Sequence, residues 1–195
     1  MLDALPTMNF KNIQLNIEVN GLLKRLIEHQ DQVSILIRGI DGSFTMDGSW
    51  VLGEKNHFYP AGICRLLGGG VDPGESMIAA AVRELFEETG LTVSATDLVP
   101  LVCVNVQAYT AQGESGSAAF PVYFLETAEE LIAGDDVKSF SQLNDDKLIK
   151  LVDRFESLSE SDFVEGEPGV TWLDYGKMWG PIHKAAFERV KELKL

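Results

Sequence analysis

The sequence predicts an α/β protein in which one mixed β-sheet lies between layers of helices. Runs rich in β-branched residues recur along the chain, and segments with helical spacing of their apolar residues lie between them. The last part of the chain consists of an acidic loop, a predicted strand at residues 170–173 and a predicted helix at about 181–193. A chain of 195 residues, 45% of them hydrophobic, can bury the core of one such domain.

The first third of the chain supplies several predicted strands and one helix. Residues 9–19 alternate between apolar and polar side chains, as in a half-buried strand. Gly21 ends this strand, and residues 22–30 have the spacing of a helix. The next predicted strands cover residues 33–40, 50–52 and 61–67, and the last of them leads into three consecutive glycines.

The clearest helix prediction covers residues 76–89, which contain neither Gly nor Pro. The turn residues at 72–74 precede it and Gly90 ends it. At 100° per residue its side chains divide into two faces. We expect the apolar face to pack on the core (Ile78, Ala79, Val82, Leu85 and Phe86) and the opposite face to collect Glu84, Glu87 and Glu88.

These three glutamates repel one another in a helix without a bound cation. Glu84 faces Glu87 and Glu88 at spacings of three and four, where each like-charged pair costs roughly 0.2–0.5 kcal/mol. They also lie in the last turn, where the helix dipole disfavours carboxylates. A hard divalent cation would reverse both effects, because it binds oxygen ligands. A solvated acidic helix end is the alternative interpretation in a protein with a net charge of −14.

The spacing around this helix resembles the Nudix box, G-x5-E-x7-R-E-U-x-E-E-x-G-U, in which U is bulky and apolar. Residues 69–91 match all nine specified positions in one register. The chain is therefore similar to a Nudix hydrolase, which implies a Nudix-type α/β/α sandwich with a mixed sheet. The matching residues are Gly69, Glu75, Arg83, Glu84, Leu85, Glu87, Glu88, Gly90 and Leu91.

The resemblance implies a hydrolase with Mg²⁺ or Mn²⁺ as its cofactor. Glu84, Glu87 and Glu88 are then the metal ligands, together with the main-chain carbonyl of Gly68. Arg83 braces the glycine loop against the helix and orients the glutamates. The predicted structural or orienting residues are Gly69, Glu75 and Gly90.

The general base is open at this stage, because the family uses either a glutamate of the box helix or one from a loop outside it. Glu84 therefore competes with glutamates elsewhere in the chain. We favour Glu165, in the acidic loop before the last predicted strand, and predict Glu84, Arg83 and Glu165 as the catalytic residues. The other candidates for the base are Glu126, Glu129 and Glu167.

The second half of the chain begins with a predicted hairpin, whose strands cover residues 98–109 and 118–125. An acidic stretch with a predicted helix at 144–158 follows and is interpreted as a helical insertion. The predicted divisions are an N-terminal strand and helix extension at 1–31 and a Nudix hydrolase domain at 32–195, with the insertion at approximately 127–160.

The net charge of −14 argues against binding to nucleic acid or to an anionic membrane. No apolar run approaches the ~20 residues of a membrane span, and the first ten residues lack the pattern of a signal peptide. We therefore expect a cytoplasmic protein. Cys64 and Cys103 lie in apolar runs and are expected to be buried, reduced thiols. In relatives that act on nucleotide sugars an N-terminal piece of this kind often helps two subunits to pair, so a homodimer is one hypothesis. A simple edge strand with a covering helix is the alternative interpretation.

The predicted reaction is hydrolysis of a pyrophosphate bond in a nucleoside diphosphate linked to another moiety, with an ADP-ribose or nucleotide-sugar type of substrate favoured. Dinucleoside polyphosphates and nucleoside triphosphates are the alternative substrates. Tyr109, eighteen residues beyond Leu91, lies close to a tyrosine position of dinucleoside polyphosphate hydrolases, and Gln107 replaces the proline of ADP-ribose hydrolases. A non-catalytic nucleotide-binding module is the alternative of another class. No residue is assigned to substrate binding.

Overall fold

The computed structural model describes residues 9–19, 31–40, 49–55, 63–134, 137–162 and 169–195. The predicted helix at 22–30 and the candidate bases Glu165 and Glu167 lie outside these ranges. The described strands are β1 (Lys11–Glu18), β2 (Ser34–Gly39), β3 (Trp50–Lys55), β4 (Val99–Tyr109), β5 (Ser115–Thr127) and β6 (Val137–Leu143). The described helices are α1 (Met77–Thr89), α2 (Asp145–Glu156), α3 (Trp172–Leu193) and a single 3₁₀ turn (Ala95–Asp97).

The six described strands form one mixed sheet in the order β1-β4-β5-β2-β3-β6. β1 pairs with β4 in parallel, and β2 pairs with β5 in parallel, whereas the other neighbours are antiparallel. The predicted hairpin is confirmed as β4 and β5. The alternating pattern of residues 9–19 is confirmed as β1, which lies beside β4 with Ile17 buried and Glu18 exposed.

Apolar side chains pack on both faces of this sheet. One cluster joins the sheet to α2 and α3 and contains Phe120, Phe155 and Met178. The other joins the opposite face to α1 and contains Ile35 and Leu85. The sheet is therefore sandwiched between helices, and the predicted α/β/α fold class is confirmed. No helix among the described residues combines the length and the apolar character needed to cross a membrane.

The predicted helical insertion contains a strand that the sequence pattern did not indicate. β6 pairs with β3 along six residue pairs, from Trp50 opposite Leu143 to Lys55 opposite Val137. Polar and apolar residues do not alternate regularly along β6. This strand is at the edge of the sheet, and most of its side chains are half-buried. The helix predicted at 144–158 is confirmed as α2, with Asn144 as its N-cap.

The strand predicted at residues 170–173 was wrong. Thr171 is instead the N-cap of α3, and its hydroxyl accepts a hydrogen bond from the N–H of Asp174 at 3.1 Å. Val170 and Thr171 are β-branched and favour a strand locally. The capping hydroxyl of Thr171 and the packing of α3 on the sheet stabilise the helix instead. Pro181 lies inside α3, so the helix begins nine residues before the predicted start.

Candidate active site

The glycine segment, or glycine loop (residues 65–70), enters the sheet where β2 and β3 separate. These two strands pair only at Ile37 with Val51 and at Arg38 with Trp50. Beyond that point the chain from Arg65 to Gly70 lies between them. Its backbone pairs with Gly53 on one side and with β2 on the other, where Val33 N–H donates to the carbonyl of Gly69 at 2.9 Å. The predicted strand at 61–67 is thus present only as isolated bridges over its described part.

Gly68 and Gly69 are required by close approach as well as by backbone conformation. Gly68 has a φ of 128°, and a side chain there would strike the carbonyl of Val33. A Cβ on Gly69 would lie 2.5 Å from both carboxylate oxygens of Glu84. The absence of side chains therefore lets the glutamate of α1 lie directly against the loop backbone.

Helix α1 begins and ends where the sequence predicts. The hydroxyl of Ser76 accepts a hydrogen bond from Ala79 N–H at 3.3 Å, and Gly90 adopts the left-handed conformation with a φ of 73°. The predicted division of its faces was wrong in part. Ala79 and Phe86 were both predicted to pack on the core and are exposed, Phe86 to 58%, whereas Glu88 is only 2% exposed. The buried side of α1 therefore includes a carboxylate next to Leu85, and the helix turns part of its acidic face towards the glycine loop.

Arg83 joins the loop and the helix through one guanidinium. It binds Glu75 with two hydrogen bonds of 3.1 and 2.9 Å, from Nε and Nη2. Nη2 also donates to the carbonyl of Gly70 at 2.8 Å. Nη1 donates to Glu84 at 2.8 Å and to Glu87 at 3.1 Å. The predicted bracing pair, Arg83 and Glu75, is thus in contact, and its geometry is bidentate.

The electrostatics of the site follow from these contacts. The hydrogen bond from Arg83 lowers the pKa of Glu75 below its usual range. Burial raises the pKa of Glu84, and the charges of Glu88 and Glu87 act in the same direction, while the hydrogen bond and charge of Arg83 oppose them. Glu84 is thus a carboxylate held in a costly charged form beside the glycine loop.

Glu88 contacts the loop directly. Its Oε2 atom accepts a hydrogen bond from the N–H of Gly68 at 2.6 Å, so the two residues predicted as metal ligands are joined across the site. Glu87 is more open, with 54% of its side chain exposed. The structure therefore brings Glu84, Glu88 and Gly68 together, and it turns Glu87 towards Arg83.

The donor set suits a hard divalent cation in kind, since it consists of carboxylate and carbonyl oxygens against a glycine loop with no room for a Cβ at Gly69. Within the described ranges, no three His, Cys, Asp or Glu side chains converge closely enough to hold a metal ion. Nη1 of Arg83 binds the carboxylates of both Glu84 and Glu87. Rotation of Glu87 away from Arg83 would free an exposed carboxylate for a cation.

Two of the other candidate bases are described by the structure. Glu126 lies at the end of β5, with a carboxylate oxygen 3.7 Å from Nη1 of Arg38. Glu129 donates its backbone N–H to the hydroxyl of Thr127 in the loop that follows. Glu126 is thus engaged in an ion pair with another strand, which disfavours it as a base.

Arg65 and His183 contact the glycine segment, and the sequence reasoning missed both. Nη2 of Arg65 donates to the carbonyl of Gly68 at 3.2 Å, and the guanidinium lies 5.0 Å from the ring centre of Trp179. Nε2 of His183 accepts a hydrogen bond from the N–H of Leu66 at 2.9 Å. Helix α3 therefore supports the segment that leads into the glycines. A lone histidine in a closing helix carries no sequence signal for such a contact.

The two predicted buried thiols are confirmed. Cys64 and Cys103 are both free and buried. Burial raises the pKa of the Cys64 thiol to about 11, with the charge of Glu54 acting in the same direction. Burial also raises the pKa of the Cys103 thiol, so neither thiol is ionised near neutral pH and a nucleophilic role is disfavoured.

Together these features define a protein with an α/β/α sandwich, a glycine loop wedged between two strands, and an acidic helix braced on that loop by one arginine. Comparison with known proteins makes the class specific. The sequence matches the NUDIX domain over residues 28–171, which is more than half of the chain. The chain belongs to the Nudix family.

Solved structures agree with the fold. A MutT/nudix family protein from Enterococcus faecalis is 19% identical with a TM-score of 0.51, and the alignment covers 84% of this chain and 62% of that chain. The NUDIX domain of Shewanella oneidensis NrtR, complexed with ADP ribose, is 15% identical with a TM-score of 0.53, covering 88% and 92%. The chain thus spans less than two thirds of the Enterococcus protein. A comparison with curated protein sequences gives no significant match.

Proposed function

We propose that the protein hydrolyses, with a divalent metal ion, the pyrophosphate bond of a nucleoside diphosphate linked to another moiety, with an ADP-ribose or nucleotide-sugar type of substrate favoured. The observation that carries this proposal is the constellation around Arg83. One guanidinium gathers Glu75, Glu84 and Glu87 and holds the carbonyl of Gly70. A solvated acidic helix end would not require an arginine that binds its carboxylates and also the carbonyl of Gly70 at 2.8 Å.

The residues that would hold Mg²⁺ or Mn²⁺ are Glu84, Glu87, Glu88 and the carbonyl of Gly68. When bound, the ion would supply Lewis acid chemistry, polarising a phosphoryl oxygen and lowering the pKa of water. The protein's own part is positional. Arg83 fixes the helix against the loop, and the glycine backbone leaves space for a phosphate to approach.

Glu84 and Glu165 are the competing candidates for the general base. Burial raises the pKa of Glu84, which makes its carboxylate a stronger base than an exposed glutamate. Glu165→Gln separates them, because a loss of at least about 10²-fold in kcat with wild-type metal affinity would assign the base to Glu165, whereas wild-type turnover would remove Glu165 and leave Glu84. If Glu84→Gln loses metal affinity in parallel with turnover, Glu84 is assigned to metal binding.

The substrate class rests on support from outside the chain. The NUDIX domain of NrtR was solved with ADP ribose, and its fold resembles that of this chain. A polyphosphate reaching a protein with a net charge of −14 needs cations with it, which agrees with the acidic cluster. Tyr109, at the end of β4 and 42% exposed, favours a dinucleoside polyphosphate instead, and Gln107 stands at the position where ADP-ribose hydrolases have a proline.

The test has two arms. Calorimetry with Mg²⁺ and Mn²⁺ on the wild type, on the double variant Glu87→Gln/Glu88→Gln and on the control Glu156→Gln measures metal uptake. Glu156 is an exposed residue at the end of α2, which packs on the opposite face of the sheet from α1. We expect uptake by the wild type and the control, and its loss in the double variant. Uptake that persists in the double variant would contradict the metal assignment.

The second arm measures product formation. ADP-ribose, a nucleotide sugar, a dinucleoside tetraphosphate and a nucleoside triphosphate are each incubated with the protein and metal, and nucleoside monophosphate or pyrophosphate is quantified by chromatography. We expect cation-dependent release of nucleoside monophosphate from ADP-ribose or the nucleotide sugar. Binding of ADP-ribose without release of product from any of the four would indicate a nucleotide-binding module in place of an enzyme.

A further inference from the structure

The last turn of α1 is received by a segment that lies more than forty residues further along the chain. The N–H of Ile132 donates to the carbonyl of Thr89 at 2.9 Å, and the N–H of Gly134 donates to the carbonyl of Glu88 at 3.1 Å. Gly90 N–H binds the carbonyl of Phe86 at 2.9 Å. The carbonyls that a helix end ordinarily leaves unbonded are therefore satisfied here by a distant backbone.

This support matters because the end of α1 is electrostatically unfavourable. The helix dipole places partial negative charge on the last carbonyls, and Glu87 and Glu88 add two carboxylates to the same turn. No basic residue lies in that turn. Donor N–H groups from Ile132 and Gly134 oppose this negative charge and keep the turn from fraying.

Gly134 has no room for a side chain. A Cβ built on it would strike the carbonyl oxygen of Glu87 and lie 3.3 Å from the Cα of Glu88. Its φ is not among the positive values found at other glycines, so alanine is compatible with its backbone conformation. Space, and not conformation, is therefore what excludes a side chain at this position.

Any shift of this turn moves carboxylates of the candidate site. Glu88 Oε2 is 2.6 Å from the N–H of Gly68, and Glu87 Oε2 is 3.1 Å from Nη1 of Arg83. We propose that Gly134 is a positioning residue, which holds Glu87 and Glu88 at the glycine loop through the backbone of the last turn of α1. The proposal rests on the proposed function, because it treats these two glutamates as metal ligands.

The test compares Gly134→Ala with two controls. Ala133→Ser changes the exposed neighbour in the same segment, and Val152→Ala removes buried volume from α2 on the other face of the sheet. Thermal unfolding is recorded for each, and Mn²⁺ affinity is measured by calorimetry well below the lowest melting temperature. Amide hydrogen exchange of residues 85–91 is followed in the metal-free proteins.

We expect Gly134→Ala to weaken Mn²⁺ binding about 10- to 100-fold, as for other residues that orient metal ligands. Exchange at residues 85–91 should accelerate in the same variant. Ala133→Ser and Val152→Ala should keep wild-type affinity, even where Val152→Ala lowers the melting temperature as much. Affinity within threefold of wild type in Gly134→Ala, or an equal loss in Val152→Ala, would overturn the proposal.

Failure of the proposed function looks different from failure of this proposal. Absence of Mn²⁺ uptake by the wild type removes the metal assignment and the role of Gly134 with it. Wild-type uptake that Gly134→Ala retains removes only the role of Gly134. Should Gly134→Ala not fold, Ile132→Pro takes its place in the same measurements, because it deletes the N–H that donates to the carbonyl of Thr89 in the same last turn.

Discussion

Lowering the pH from 7 to 5 should destabilise the protein through His183, which is fully buried on α3. Its Nε2 accepts the N–H of Leu66, so its proton is on Nδ1, which donates to the carbonyl of Trp179 at 2.8 Å. The ring of Phe155 lies 4.7 Å away. Burial lowers the pKa of His183 to about 3, and the charge of Arg65 acts in the same direction, against the hydrogen bond to Trp179.

The sign of the effect follows from proton binding. In the unfolded chain the histidine has its ordinary pKa of 6.5, so between pH 6.5 and about pH 3 the unfolded state binds the additional proton. The contribution to stability is therefore complete above pH 6.5 and is lost as the pH falls towards 3. Since one pKa unit corresponds to about 1.36 kcal/mol, the loss between pH 7 and pH 5 is about 2 kcal/mol.

The assay is urea unfolding followed by tryptophan fluorescence at pH 5, 6, 7 and 8, in the presence of a chelator. The comparison protein is His183→Gln, whose amide can accept from Leu66 and does not titrate. The other titrating groups contribute equally to both proteins and cancel. We expect the wild type to lose about 2 kcal/mol more than the variant between pH 7 and pH 5. Parallel pH profiles would refute the assignment of a buried neutral histidine.

Three further predictions concern α1 and its loop. Arg83→Lys keeps the charge but not the bidentate contact with Glu75, so metal affinity by calorimetry should fall about 10- to 100-fold, and a change under threefold would contradict the bracing role. Gly69→Ala places a methyl group against the carboxylate of Glu84, so we expect a folded protein by circular dichroism with metal uptake reduced at least tenfold, and retained uptake would show that the loop can yield. Phe86→Ser should change the free energy of unfolding by no more than about 0.5 kcal/mol in urea, because the side chain is 58% exposed, whereas a loss above about 2 kcal/mol would mean that Phe86 is buried.

The parts of the fold that the sequence predicted correctly are those decided by local signals. The Ser76 cap and the left-handed Gly90 are short-range devices, and they set the bounds of α1. The alternation of β1 is likewise a property of eight consecutive residues. The fold class was predicted from the recurring strand and helix signals and from the match of residues 69–91 to the Nudix box, and the errors at residues 137–143 and 170–173 did not change it.

The parts that were missed depend on partners distant in the sequence. β6 is a strand because it pairs with the edge of β3, and its half-polar sequence alone does not predict a strand. Glu88 is buried where its carboxylate accepts a hydrogen bond from the N–H of Gly68, whereas a helical wheel assigns every glutamate to the solvent side. The contacts of Arg65 and His183 with the glycine segment bring together residues that share no motif, and only the packing of α3 reveals them.

The cost of the acidic site is itself evidence for what the site does. One guanidinium, that of Arg83, faces the carboxylates of Glu75, Glu84 and Glu87, and Glu88 lies beside them at the loop, so negative charge is in excess. Burial and mutual repulsion raise the pKa of Glu84, which means that folding opposes its ionised form. Folding alone would favour apolar or amide side chains at these positions. Under the proposed function, a bound divalent cation would offset this excess and let a pyrophosphate approach the surface.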